Sequence, residues 1–432
     1  MSRNISLRGL ATLLSVAAII AACTQPGSDL IAPSAARGGM FDTYVAIGNS
    51  ITAGMQSEGL IDSTQRRSYA FLLAQSMGTR FAYPQMAGLG CPPLIANFQT
   101  LAGPGSITAS ARDTLCFLRT AGSATDILNN VAVPGAWSTD PTSASTANSN
   151  ALTTFILGGK TQVEKALDAH PTFVSIWIGN NDVLIPAISN LGTAASLAAI
   201  TPEAQFETNY NAITDPLIAQ NPNLKGVLVG VVDATNAPIM FSAAAFAVPG
   251  FKTTFDAIAC GGTPNSCAAT GNQTLLDPSC TSTPGNQSRI NTFLAHAIRA
   301  RQHPSIIVCT PGANAACPPC GDAFVLTTTE QAAVTAAVNG YNTFIAAKAN
   351  TLGFAYYDPN TALVDLKTTQ PTVIRSVPQY CGNAQCAPPT APFGTGISLD
   401  GVHPAASVHL RVANDIIAAI NAKYSTTLPT VF

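Results

Sequence analysis

Two stretches at opposite ends of the chain hold residue types whose spacing suits nucleophilic catalysis. In Gly48-Asn49-Ser50-Ile51-Thr52-Ala53-Gly54 a serine flanked by glycines directly follows the apolar run Thr43-Tyr44-Val45-Ala46-Ile47. A turn between a buried strand and a helix exposes a side chain at that point, and glycines let the backbone turn tightly. The spacing is not G-x-S-x-G, which argues against an ordinary α/β-hydrolase. A phosphate-binding loop fails as well, because no lysine follows and the glycines match neither phosphate-binding pattern. A serine hydroxyl needs a base, and the base needs an orienting acid. Of the 5 histidines, His170 and His303 precede prolines, His296 and His409 sit in helix-like stretches, and none of these four has a carboxylate at turn spacing. His403 does: Asp400-Gly401-Val402-His403-Pro404 sets a carboxylate three residues before the imidazole. A tight loop there lets Asp400 accept from Nδ1 and leaves Nε2 free to take a serine proton. This stretch alone also admits a plainer reading, in which Asp400 merely starts the turn and His403 is incidental.

The elements that must position these residues alternate along the chain. Strand-like runs occupy Thr43 to Ile47, Phe173 to Ile178, Gly226 to Val232 and Phe354 to Tyr357; helix-like stretches occupy Tyr69 to Met77, Pro202 to Ala219, Glu330 to Leu352 and Pro404 to Tyr424. In the last of these, Val408, Val412, Ile416, Ile417 and Ile420 recur at helical spacing behind a proline at the start. Strands alternating with helices imply an α/β domain with a parallel sheet between two helical layers, whose ligands bind at the carboxyl ends of the strands. Two segments interrupt the rhythm, at about 80–129 and 237–326, and both carry cysteines among Gly, Pro and Thr. We read them as disulfide-containing insertions capping the site of a domain that spans 41–432.

Composition narrows the partners. Charged residues are 10% of the 432-residue chain and the formal net charge is −2, so there is no basic field to attract nucleic acid. Arg3 and Arg8 precede the apolar run Gly9 to Ala22, which is short for a bilayer span and suits a signal peptide over 1–22. The run ends in small residues before Cys23 and resembles a lipobox, in which that cysteine is acylated. Thr24 to Met40, rich in Pro, Gly, Ser and Ala, then reads as a flexible tether, making 23–40 the anchor segment. Thr24, in place of Asp, points by the same resemblance to the outer membrane of a two-membrane bacterium. Setting Cys23 aside leaves an even number of the 11 cysteines for disulfides, as an exported protein would use them. Local spacing pairs Cys91 with Cys116 and Cys381 with Cys386, whereas Cys260, Cys267, Cys280, Cys309, Cys317 and Cys320 crowd one segment. Cys317-Pro318-Pro319-Cys320 lacks a second ligand pair at zinc spacing and is read as structural.

Four separated blocks, in order, resemble the SGNH hydrolases, also called the GDSL esterase/lipase family. They are the Ser50 stretch; Asn130-Val131-Ala132-Val133-Pro134-Gly135-Ala136; Gly179-Asn180-Asn181-Asp182, which matches G-x-N-D; and Asp400-x-x-His403. The resemblance implies a three-layer αβα, flavodoxin-like fold and a cofactor-free, metal-free serine ester hydrolase. In it Ser50 attacks, His403 is the base, Asp400 orients it, and Gly135 and Asn181 complete an oxyanion hole with Ser50. A glycine lets a backbone N–H approach the oxyanion closely, and Asn181 offers a neutral amide donor. The family usually has Asp where this chain has Asn49, so local hydrogen bonding beside the nucleophile is expected to differ. Lipid or other hydrophobic esters are the expected substrates. The alternatives are O-acetyl esters of polysaccharides and a non-catalytic surface-binding lipoprotein; oligomeric state is not legible.

Overall fold

The computed structural model describes residues 39–98, 101–108, 111, 116, 119–120, 126–143, 151–188, 197–242, 245, 289–291, 325–326, 328–379 and 389–432. The expected leader, Cys23, the expected tether up to residue 38, all six cysteines of the second insertion and the Cys381/Cys386 pair lie outside the described residues, as do His296 and His303.

In chain order the elements are β1 (Tyr44–Gly48), α1 (Ser50–Ala53), α2 (Asp62–Gln65), α3 (Tyr69–Met77), α4 (Ala151–Leu157), α5 (Gln162–Asp168), β2 (Phe173–Trp177), α6 (Asn180–Ile188), α7 (Glu203–Gln220) and β3 (Lys225–Val229). There follow β4 (Met240–Ser242), β5 (Arg289–Asn291), β6 (Val325–Leu326), α8 (Thr328–Leu352), β7 (Ala355–Tyr357), α9 (Pro359–Thr369) and α10 (Ala406–Tyr424). The main sheet is parallel, in the order β1-β2-β3-β7. Residues 129–133 extend it beyond β1: Ala46 N–H donates to Asn129 O (2.8 Å), Val131 N–H to Ala46 O (3.0 Å) and Val133 N–H to Gly48 O (3.1 Å). With this edge included the order is that of flavodoxin-like sheets, 2-1-3-4-5.

The strands read as continuous apolar runs because both faces of the sheet are covered. Val45, Ile47, Val174, Ile176 and Leu228 pack with Val163, Phe206, Tyr210, Val338 and Tyr341 of α5, α7 and α8 on one side. Tyr44, Ala46, Phe173, Val227 and Val229 pack with Tyr69, Leu73, Val412, Ile416 and Ile420 of α3 and α10 on the other. Alternate residues of one strand thus serve opposite helical layers, and the domain is a three-layer αβα sandwich.

The sequence boundaries shift by more than one residue in three places. The β3 ladder ends at Val229 rather than Val232, where Asn180, Asn342 and Asn360 side chains take over the backbone groups of Val231 and Val232. The long helix α8 starts at Thr328, two residues before Glu330. The last helix begins at Ala406 instead of Pro404, because Pro404 bridges to Ile397 and Ala405 N–H is drawn to Gly396 O (2.8 Å).

The first insertion carries the Cys91–Cys116 disulfide. Strands β4, β5 and β6 form a small antiparallel sheet that gathers the start, middle and end of the second insertion. Its base packs on the loop of interest: Ile239 N–H donates to Gly401 O (2.8 Å), and Ala237, Ile239, Met240 and Leu326 cluster with Ile188 and Val402. Among the described residues no helix is long and apolar enough to cross a membrane.

Candidate active site

The serine turn is built as its sequence suggests. A Cβ on Gly48 would lie 2.6 Å from Trp177 O and 2.2 Å from Thr52 Oγ1, so only glycine fits between the strand end and the helix. Asn49 Oδ1 accepts from Ile51 N–H (3.2 Å) and caps α1, a service an aspartate would also perform. What differs is Asn49 Nδ2, a buried donor without a partner among the described residues. Ser50 heads α1 and is 8% exposed. Two further side chains fix this corner: Gln162 Oε1 accepts from Gly48 N–H (3.0 Å) and Asn130 Nδ2 donates to Thr52 O (2.9 Å).

Gly135 lies on the loop after the edge strand with φ of 83° and is exposed. Asn181, near the start of α6 and buried, donates from Nδ2 to Ala136 O (2.8 Å), so the structure ties Asn181 to the residue next to Gly135. Asp182 locks the same two segments together by accepting from Ser138 N–H (2.9 Å), Ser138 Oγ (2.5 Å) and Thr201 Oγ1 (2.7 Å). Burial pushes the Asp182 carboxyl up to about 6 against the pull of these donors.

Asp400 and His403 are joined directly, His403 Nδ1 to Asp400 Oδ2 at 2.7 Å. Asp400 is fully engaged: Oδ1 accepts from Ser398 Oγ (2.9 Å), Val402 N–H (2.9 Å) and His403 N–H (2.8 Å), and Oδ2 also from Glu58 N–H (2.8 Å). Burial alone would raise its pKa, yet the His403 charge and these hydrogen bonds hold the carboxyl well below the usual range. Burial likewise opposes charge on His403, but Asp400, with a contribution from Glu58, keeps the imidazole above its ordinary value. Asp400 therefore remains an acceptor, the ring presents its proton on Nδ1, and Nε2 is left for a reacting group. Among the described residues no hydrogen bond joins the Ser50 hydroxyl to His403; such contacts are often long in free enzymes and tighten with substrate.

A cavity of about 90 Å³ links the segments. Ile51, Asn180, Val402 and Pro404, each adjacent in sequence to Ser50, Asn181 or His403, line it. From there it runs across the carboxyl ends of β2, β3 and β7, past Trp177, Val232 and Pro359, to Ala362 and Leu366 of α9. Its walls are almost wholly apolar. Among the described residues no group of three His, Cys, Asp or Glu is placed to hold a metal ion.

Sequence reasoning did not single out Ser398, Glu58, Ser138 or His409. The first three act through hydrogen bonds between segments far apart in the chain, which no local motif announces. His409 is fully buried in α10; its Nδ1 accepts from Tyr69 N–H (3.2 Å), and Tyr69 in turn shares a hydrogen bond with Thr52 Oγ1 (2.9 Å) in the serine helix. Burial, and secondarily the charge of His403, lower the His409 pKa to about 3, so this ring stays neutral.

The profile of a family described as GDSL-like Lipase/Acylhydrolase matches residues 44–277. No curated protein matches the chain. Among solved structures, the chain is similar to an extracellular lipase from Streptomyces rimosus, with 15% identity, 88% of this chain and 99% of that chain covered, and a TM-score of 0.34.

Proposed function

This chain belongs to the GDSL-like lipase/acylhydrolase family and is an ester hydrolase, and from that premise we propose that it cleaves esters of hydrophobic acids through an acyl enzyme on Ser50. The Ser50 hydroxyl attacks the carbonyl carbon while His403 Nε2 takes its proton, and Asp400 stabilises the imidazolium that results. The tetrahedral oxyanion is received by the backbone N–H groups of Ser50 and Gly135 and by the Asn181 amide. His403 returns the proton to the leaving alcohol, and a water molecule, deprotonated by the same nitrogen, releases the acid.

The observation that carries the substrate class is the apolar cavity. Its walls are almost wholly apolar, as the linings of ligand sites commonly are. It opens from residues flanking Ser50 and His403 and offers an acyl chain burial worth about 0.8 kcal/mol per methylene. A series of p-nitrophenyl esters from acetate to decanoate tests this. We expect kcat/KM to rise along the series until the cavity is full; turnover of acetate alone would indicate an O-acetyl esterase, and no turnover of any ester would overturn the enzymatic reading.

We further propose that the protein is exported, with 1–22 as the leader, and held at the outer membrane by an acylated Cys23 and the tether to residue 40. The basic and apolar leader and the Cys91–Cys116 disulfide support this. Cys23→Ser is expected to move the protein from membranes to the soluble fraction; retention in membranes would contradict the anchor.

A further inference from the structure

Directly after the serine helix the chain makes a two-residue hairpin. Gln56 and Gly59 exchange backbone hydrogen bonds (3.0 and 2.9 Å), and the two central residues, Ser57 and Glu58, have φ of 49° and 51°. Turns of this kind ordinarily call for Gly, Asn or Asp at both central positions, because other side chains crowd the backbone there. Serine and glutamate hold the conformation here, and strain of this kind persists only where the surroundings enforce it.

The surroundings are the Asp400 loop. Ser57 N–H donates to Ser398 Oγ (2.9 Å), and the same hydroxyl donates to Asp400 Oδ1 (2.9 Å). Glu58 N–H donates to Asp400 Oδ2 (2.8 Å), the oxygen that also receives His403 Nδ1. In return Leu399 N–H donates to Ser57 Oγ (3.1 Å). The strained turn therefore directs two successive backbone N–H groups at the acid's loop. The hairpin is fixed to the nucleophile by short links, Met55 N–H to Ser50 O (2.9 Å) and Gly54 N–H to Ile51 O (3.1 Å). Two segments more than 340 residues apart in sequence are joined here by three hydrogen bonds, every one of them through a side chain of Ser57, Ser398 or Asp400.

We propose that Ser398 and the Ser57–Glu58 turn are positioning residues that hold Asp400 and His403 in register with Ser50; the inference rests on the reading of Ser50 as nucleophile and His403 as its base. The Ser398 hydroxyl is the central relay, accepting from the nucleophile's segment and donating to the acid. Glu58 contributes its backbone N–H to the geometry and its side-chain charge to the field at His403. The other ionisable groups facing the imidazole are Asp400, from its own loop, and His409, from α10, which stays neutral.

The test uses the full chain, with kcat, KM, thermal melting and the pH profile of kcat/KM on p-nitrophenyl butyrate. Ser398→Ala removes one partner from a buried N–H and one donor from a carboxylate. It is expected to lower kcat roughly tenfold to a hundredfold, with KM near the parental value, and Ser398→Thr, which keeps the hydroxyl, to restore most of the loss. Glu58→Gln keeps the backbone bond and removes the charge, so the rising limb of the profile moves to lower pH. Parental kcat in Ser398→Ala, a loss that threonine does not restore, or an unmoved limb in Glu58→Gln would each overturn the proposal. Should Ser398→Ala not fold, Ser57→Ala reads the same register through the lost bond to Leu399, with a fall in kcat supporting it and parental kcat overturning it. Ser50→Ala separates the two levels: residual turnover there sinks the underlying assignment, whereas an inactive Ser50→Ala beside a fully active Ser398→Ala sinks only the positioning role.

Discussion

Acidification is expected to destabilise the fold through His409, and the size of that effect follows from its surroundings. The ring is fully buried, accepts the Tyr69 N–H on Nδ1 and has its pKa lowered from 6.5 to about 3, first by burial. A folded-state pKa below the unfolded value means that the unfolded chain binds the proton first. The stabilisation is complete above pH 6.5 and is lost as the pH falls from 6.5 toward 3. At about pH 4.5 the loss is roughly 3 kcal/mol, at about 1.4 kcal/mol per pH unit. The wild-type curve alone will not display it, because Asp182, with its carboxyl raised to about 6, works in the opposite sense. That acid takes up a proton in the folded state before it does in the unfolded chain, so its buried charge is relieved over part of the same range. The informative comparison is with His409→Asn, whose amide oxygen still accepts from Tyr69 N–H but does not titrate. Urea unfolding of both proteins between about pH 7.5 and 4.5 should show the wild type losing roughly 3 kcal/mol relative to the variant. Parallel curves would refute the reasoning.

Three more outcomes concern the site. Asn181→Ala should lower kcat by about 10²–10³ with a smaller change in KM, measured by steady-state hydrolysis; a loss confined to KM would remove Asn181 from the oxyanion hole. Because Asp400 keeps His403 above its ordinary pKa, kcat/KM should rise with pH through a midpoint above about 6.5 as the base loses its proton, and a midpoint below that value would contradict the ion pair's influence. Ala362→Phe intrudes on the far end of the cavity; excluding two methylenes costs about 1.6 kcal/mol, roughly fifteenfold in kcat/KM for decanoate, while acetate is spared, and an equal effect on both would place the acyl chain elsewhere.

The parallel sheet was legible because its strands are buried on both faces and so appear as unbroken apolar runs, such as Phe173 to Ile178. The edge strand at 129–133 was not, since its few apolar residues are recognisable only as part of the block ending at Ala136. Short helices such as Ala151–Leu157 and Gln162–Asp168 gave too little periodicity to read. In the site, the three-residue spacing of Asp400 and His403 anticipated a contact that the structure shows at 2.7 Å. The struts around them were hidden for a physical reason. Ser57 and Glu58 adopt left-handed φ without the glycine or asparagine that normally marks such a turn, because the Asp400 loop supplies the compensation. His409, a bland helix residue in the sequence, acquires its role only when α10 packs against the start of α3.

The central claim is that Ser50 forms the covalent acyl enzyme. It is tested most directly by reacting the protein with a fluorophosphonate and mapping the modified peptide by mass spectrometry, alongside Ser50→Ala. The account predicts a single adduct on Ser50 and, in the variant, neither adduct nor ester turnover in a protein that melts like the parent. An adduct on another serine, or hydrolysis persisting in Ser50→Ala, would contradict it.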